Sequence, residues 1–302
     1  MGGSTTATIG GAFALASALC WAAASLVWMR LGQRVAPLGL NVGKGLVALV
    51  VLVAAATVAG WPTLSPAACG ALAVSGLIGI ALGDTAYFAA LVRLGPRRML
   101  VVTTLVPVVA SGLAMLFLDE RPTWAWALGA ALCLGGIALV LLERLPGATN
   151  PTDPPARGGV ALAFLTVLLE SLGIFLSKVG LRGSGEHGAL DATLVRIAAA
   201  TLALVLYGLA RGELVGWLRP FASPRLLGGL LLASFVGTVL GIGFSMVALH
   251  LADVSLSAVL NATSPLFILP LAAIFLHERP TARAIVGAVV AFAGAAVLLW
   301  HG

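Results

Sequence analysis

The chain has 302 residues, 60% hydrophobic and only 9% charged, with a mean hydropathy of +1.09. Soluble domains carry about 25% charged residues, and a single soluble core cannot hide this much apolar surface. So little charge excludes a disordered chain, three cysteines exclude a disulfide scaffold, and no strict glycine period suggests a fibre. What remains is an all-α membrane protein. The formal net charge of +6 comes from fifteen Arg and two Lys against eleven acidic residues. These basic groups mostly flank apolar runs, as at a membrane interface. They form no stripe with interleaved aromatics, so nucleic acid is not an expected partner.

A helix needs about 20 apolar residues to cross the hydrocarbon core. Ten runs of that kind occur, at 9–29, 39–60, 67–91, 99–118, 123–142, 159–178, 192–210, 226–249, 254–276 and 281–300. The first lacks a basic flank and a cleavage site, so it is read as a spanning helix rather than a signal peptide. Short connections carry Gly, Pro or charge: Trp61-Pro62, Gly95-Pro96-Arg97-Arg98, Glu120-Arg121-Pro122 and Glu278-Arg279-Pro280. The longest polar stretch, about 143–158, holds four prolines and divides the chain into halves, 1–147 and 148–302. Continuous rather than alternating apolar runs argue against a β-barrel.

The halves are copies. A shift of 158 residues places Ser65-Pro66 on Ser223-Pro224, Gly79 and Gly83 on Gly237 and Gly241, Pro107 on Pro265, and Glu120-Arg121-Pro122-Thr123 on Glu278-Arg279-Pro280-Thr281. Gly129 and Gly136 fall on Gly287 and Gly294. Earlier in each copy the offset drifts, so that Lys44 pairs with Arg196 and Arg30 with Lys178. With five helices per copy, the second enters the bilayer from the opposite side. The expected fold is therefore ten transmembrane helices in two inverted five-helix repeats, a recurrent plan of secondary transporters.

These marks resemble the drug/metabolite transporter superfamily in its ten-helix EamA-type branch. The most specific are the Pro-containing helix, the Glu-Arg turn and the Gly-rich helix that end each repeat. A basic residue near the start of each repeat's second helix, usually Arg, is another; Arg196 fits and Lys44 departs. The resemblance implies export of small metabolites, amino acids and related compounds foremost, across the inner (plasma) membrane by alternating access. The expected partners are a small-molecule substrate and the lipid bilayer, with protons as a coupling ion or facilitated diffusion without one as open alternatives, and an oligomer is not required.

Ionisable residues at membrane depth are costly and by default functional. Glu170 lies midway along helix 6, where the first copy has Ala22. Asp84, in helix 3, matches Ile242. Either carboxylate could carry a proton or bind a cation, and Asp84 could instead pair with Lys44 or face Arg93. Lys44 and Arg196 could attract a substrate carboxylate, or snorkel to the headgroups. Pro107 and Pro265 are expected to kink helices 4 and 9 and to free the carbonyls of Thr103 and Asn261. Around them Thr103, Thr104, Asn261, Thr263 and Ser264 could line a central cavity. Trp21, Trp28 and Tyr87 could stack on substrate, whereas Trp61, Trp124, Trp126, Trp217 and Trp300 read as interface anchors. Gly79-x-x-x-Gly83 and Gly237-x-x-x-Gly241 predict tight packing of helices 3 and 8. The Glu of each Glu-Arg turn is expected to cap or pair near the next helix start.

No phosphate-binding loop, nucleophile elbow, zinc-protease motif or Cys/His ligand spacing appears. No cofactor, metal or enzymatic activity is expected, an intramembrane enzyme or a scaffold being the alternatives. The basic residues also bear on orientation. Arg121, Lys178 and Arg182 fall on the side of the termini; Arg30, Arg34, Arg93, Arg97, Arg98, Arg144, Arg157, Arg211, Arg219, Arg225, Arg279 and Arg283 fall on the other. The positive-inside rule then places both termini outside, whereas the family resemblance implies the opposite.

Overall fold

A computed structural model describes residues 2–103, 105–121, 123–141, 158–182, 188–264, 266–267, 271 and 282–301. Every element in them is helical. The first half contains α1 (Gly2–Gly32), α2 (Pro37–Ala59), α3 (Pro66–Ser75), a π-helical segment (Gly76–Asp84), α4 (Thr85–Thr103), α5 (Val106–Phe117) and α6 (Trp124–Leu141). The second contains α7 (Gly159–Leu181), α8 (Gly188–Ala210), the short α9 (Leu214–Leu218) with a 3-10 turn (Arg219–Ala222), and α10 (Pro224–Ala233). A second π-helical segment (Ser234–Ile242), α11 (Gly243–Leu251), α12 (Val254–Asn261) and α13 (Ala282–His301) complete it.

Six helical stretches are long and apolar enough to cross a bilayer: Thr6–Gly32, Pro37–Ala59, Pro66–Leu94, Gly159–Leu181, Gly188–Ala210 and Pro224–Leu251. Shorter apolar helices, Val106–Phe117, Trp124–Leu139 and Ile285–Leu298, fall within the expected spans 4, 5 and 10. The linker and the Glu278-Arg279-Pro280 turn lie outside the described residues, as do Thr104 and Pro265.

Local chemistry explains several boundaries. The repeated Ser-Pro pairs start α3 and α10, with Pro in the first turn, where a missing N–H costs nothing. The Ser65 hydroxyl accepts from the Ala68 amide. The two π-helical segments sit at the same 158-residue offset, so this wider turn belongs to the repeated unit. Their excess backbone room is occupied in the first copy by Asn41, whose Nδ2 donates to the carbonyls of Ile80 (2.9 Å) and Ala81 (3.2 Å).

Two expected boundaries move. No break occurs at Gly95–Arg98: α4 runs on to Thr103. The chain instead breaks at Leu105, and Pro107 lies in the first turn of a new helix rather than kinking a continuous one. At the equivalent of the Gly95 region the second half does break, with α11 ending at Leu251 and α12 starting at Val254.

The halves interlock crosswise. The first helix of each half packs on the third-span segments of the other: α1 on α10, its π segment and α11; α7 on α3, its π segment and α4. The second spans, α2 and α8, pack on each other, as do the Gly-rich α6 and α13. This exchange of partners is what a two-fold relation between copies produces. The glycine pairs serve it: a Cβ on Gly173 of α7 would lie 2.8 Å from the Gly79 Cα, and one on Gly237 would lie 2.6 Å from the Ala24 Cβ of α1. Helices 3 and 8 thus pack tightly, each against the opposite half's first helix.

Candidate functional site

Where these elements meet, a cavity of about 250 Å³ opens, lined from α1, both π segments, α4, α5, α7, α8, α11 and α12. Its wall is mostly apolar: Trp21, Ile80, Ile174, Ile242 and Met246 contribute. Of the residues singled out from the sequence, Trp21, Asp84, Tyr87, Thr103, Pro107, Glu170, Arg196, Asn261 and Ser264 all border this one space.

Lys44 stands behind that wall. It is 2% exposed and forms a buried ion pair with Asp84, its ammonium also lying 5.6 Å from the centre of the Phe88 ring. Neither snorkelling nor pairing with Arg93 is what the structure has. Arg196 does not snorkel either. It is 6% exposed, its Nε donates to Ser75 Oγ (2.9 Å), and Nη1 reaches Met246 Sδ at 3.3 Å. Ser75 Oγ in turn bonds the Gly173 carbonyl (2.7 Å) and Ser177 Oγ (2.8 Å), so the guanidinium is anchored to α7. Glu170 lies beside Gly83, whose Cβ would sit 3.6 Å from the Glu170 Cγ. Gly241, at the equivalent place, faces the Trp21 indole instead: an added Cβ would lie 3.2 Å from its Nε1. The same glycine notch thus holds a carboxylate in one copy and an aromatic in the other.

The polar residues near the prolines divide between the cavity and local bonding. Asn261 Nδ2 donates to Ser245 Oγ at 3.3 Å. The Asn261 carbonyl accepts from Ser264 Oγ (3.0 Å), so a nearby hydroxyl already satisfies it. Trp28 neither lines the cavity nor anchors at an interface: it is buried against Phe88, with ring centroids 5.8 Å apart. Trp61, Trp124 and Trp300 are exposed, while the Trp126 Nε1 is buried and Trp217 stacks on Tyr207.

Away from the cavity, three charged side chains bind main chain. Glu120, at the Glu-Arg turn, accepts from the Val254 amide (2.8 Å), the Ser255 amide (3.1 Å) and Ser255 Oγ (2.6 Å). It therefore caps α12 of the other half rather than the next helix, α6, which sequence order favours. The preceding Asp119 takes a left-handed φ of 58°, at the turn that leads into Glu120. Lys178 Nζ donates to the carbonyls of Leu249 (2.7 Å) and Ala252 (2.6 Å), and Arg182 Nη2 to that of Leu118 (2.9 Å). Anion on helix start and cations on helix ends agree with the helix dipoles. The cavity uses Val106 and Pro107, at the opposite end of α5 from Leu118, and Ala258 and Asn261, far from the capped start of α12.

Sequence similarity decides the family. The profile of the EamA-like transporter family matches residues 8–142 and again 157–300, so both copies are covered. The chain belongs to the EamA-like transporter family. It is a multi-pass membrane protein of the drug/metabolite transporter superfamily, built on that family's two-repeat architecture. No curated protein matches it closely. A solved structure described only as "Crystal structure of protein" superposes with a TM-score of 0.76 at 19% identity, covering 97% of this chain and 96% of that one. That likeness concerns the fold alone.

Sequence reasoning missed three features of this EamA-like protein: the paired π segments, the Ser75–Ser177 anchor of Arg196, and the trans-half capping by Glu120. The serines were legible only as small residues in apolar runs, and π geometry has no local signature beyond the Gly pairs.

Proposed function

We propose that this protein is a secondary transporter, an exporter of small metabolites such as amino acids and related compounds, working by alternating access in the inner membrane. Ten spans in two inverted five-span repeats surround the site. The observation that carries the reading is the cavity between the halves, apolar in most of its wall but holding Glu170, Asp84 and Arg196. Ionisable groups are kept at such depth where they serve a solute or ion path. Two like halves of opposite orientation can exchange shapes and so expose one cavity to either side in turn.

Reconstitution into liposomes tests this. Internal unlabelled amino acid should drive uptake of the labelled one by counterflow. Empty counterflow across amino acids and related metabolites, or chemical conversion of the solute, overturns the reading. In the same assay Glu170→Gln is expected to lower transport by about tenfold or more and to flatten its dependence on pH, because the carboxylate holds a proton and the substrate's cationic group in turn; a tenfold loss corresponds to about 1.4 kcal/mol. An unchanged pH profile removes Glu170 from coupling.

On this reading the Glu120 contacts hold that end of the protein shut in the transport cycle, which gives a second test. A side-chain cap on helix amides contributes about 0.5–2 kcal/mol. Glu120→Ala is then expected to raise the rate at which a water-soluble maleimide labels Ala258→Cys, by roughly 2- to 30-fold, following that range. No acceleration means that the contact does not hold the end shut.

A further inference from the structure

Duplication gave each half one cation at an equivalent place, Lys44 and Arg196. Only one is neutralised by the protein. Asp84 pairs with Lys44, and the position matching Asp84 in the second copy is Ile242. Among the described residues no carboxylate lies within ion-pairing distance of Arg196. Its guanidinium has five N–H donors, and its hydrogen bonds are one to a serine hydroxyl and one to a thioether, a weak acceptor. A buried charge left this way is costly until an anion joins it. Glu170 is the complementary case. It borders the same cavity, no described residue ion-pairs or hydrogen-bonds with it, and Lys44 is committed to Asp84.

We propose that the cavity's ligand is a zwitterion, its carboxylate seated on Arg196 and its ammonium on Glu170. The two charges flank one glycine stripe. A Cβ on Gly79 would lie 3.5 Å from Arg196 Nη2, and one on Gly83 would lie 3.6 Å from Glu170 Cγ. Both groups thus face the same cavity beside positions four residues apart on the first π segment. An ammonium and a carboxylate on one carbon can engage the two at once, each through charge-assisted hydrogen bonds of about 2.8 Å. A simple anion leaves Glu170 facing it with like charge, and a simple cation leaves Arg196 unpaired. The rest of the wall, with Trp21, Ile174, Ile242 and Met246, suits an apolar side chain.

This rests on the cavity being the transport site, and its test separates the two ideas. Binding to the purified full chain in lipid nanodiscs is measured by calorimetry and melting temperature. The probes are L-leucine and L-phenylalanine, their amides, which lose the carboxylate, and 4-methylpentanoate and 3-phenylpropanoate, which lose the ammonium. The wild-type protein is expected to bind at least one amino acid about tenfold or more tighter than either of its analogues, the size of a lost charge partner. Arg196→Gln should abolish the preference over the amide and keep that over the deaminated acid. Glu170→Gln should do the reverse. Arg196→Lys, which keeps the charge, should restore part of the first preference and guards against a variant that merely misfolds. Equal binding of an amide or a deaminated acid, or amino acids that bind to no measurable extent, overturns the proposal. The expected pattern without movement in liposomes overturns the carrier and leaves the site. Transport of solutes that are not zwitterions overturns the site and leaves the carrier.

Discussion

Asp84→Ile alone is expected to destabilise the protein by about 3–5 kcal/mol, the cost of stranding one member of a buried ion pair. Lys44 is 2% exposed and stands behind the cavity wall, so it cannot reach water once its partner is removed. The aromatic face of Phe88 offsets only part of the loss. The informative control copies the second half, where Ile242 occupies the matching position. Combining Asp84→Ile with Lys44→Met removes both charges, and a well-packed apolar replacement of a buried pair is often neutral or better. Thermal unfolding in detergent should therefore show a large drop for the single change and recovery of most of it in the double one. Equal drops in the two would mean that packing around residue 84, not charge, carries the stability.

The second large effect concerns Gly76, the first residue of the π segment in the first copy. A Cβ there would overlap the Arg196 carbonyl oxygen and lie 2.8 Å from the Arg196 Cα. The obstacle is main chain of a packed helix, so it cannot rotate away as a side-chain tip can. Gly76→Ala should cost about 1–3 kcal/mol or more, as overpacking does. It should also displace α8 at the residue that faces the cavity, and so weaken amino-acid binding more than its loss of stability alone explains. Gly70, on the same span, has nothing within 4 Å of an added Cβ, and Gly70→Ala should leave binding unchanged and raise stability by about 0.5–1 kcal/mol. Similar behaviour of the two variants would show that the crossing at Gly76 is looser than its geometry.

Helices, duplication and the ionisable residues of the cavity wall were legible in the amino-acid order for a simple reason. Hydrocarbon imposes one secondary structure and makes every deep charge conspicuous, so Glu170, Asp84 and Arg196 stood out against 60% hydrophobic residues. Partners were far less legible. Asp84 had Lys44 and Arg93 as equal candidates, and only the packing of α2 on the following span selects Lys44. Trp28 and Trp21 share the first helix, yet one is sealed against Phe88 and the other borders the cavity; an apolar helix carries no pattern that distinguishes these faces. The Gly95-Pro96-Arg97-Arg98 stretch reads as a connection by its composition, but the helical ladder continues through it where the matching region of the second copy is interrupted.

The cluster of Glu120, Lys178 and Arg182 has one further property. All but one of its bonds end on peptide groups, those of Leu118, Leu249, Ala252, Val254 and Ser255. A peptide group is the same whatever side chain it carries. Relatives are therefore free to drift at 249–254 while keeping these contacts, provided the three charged tips persist. Correlated changes between the two halves, the usual trace of touching side chains, should be faint here despite direct contact.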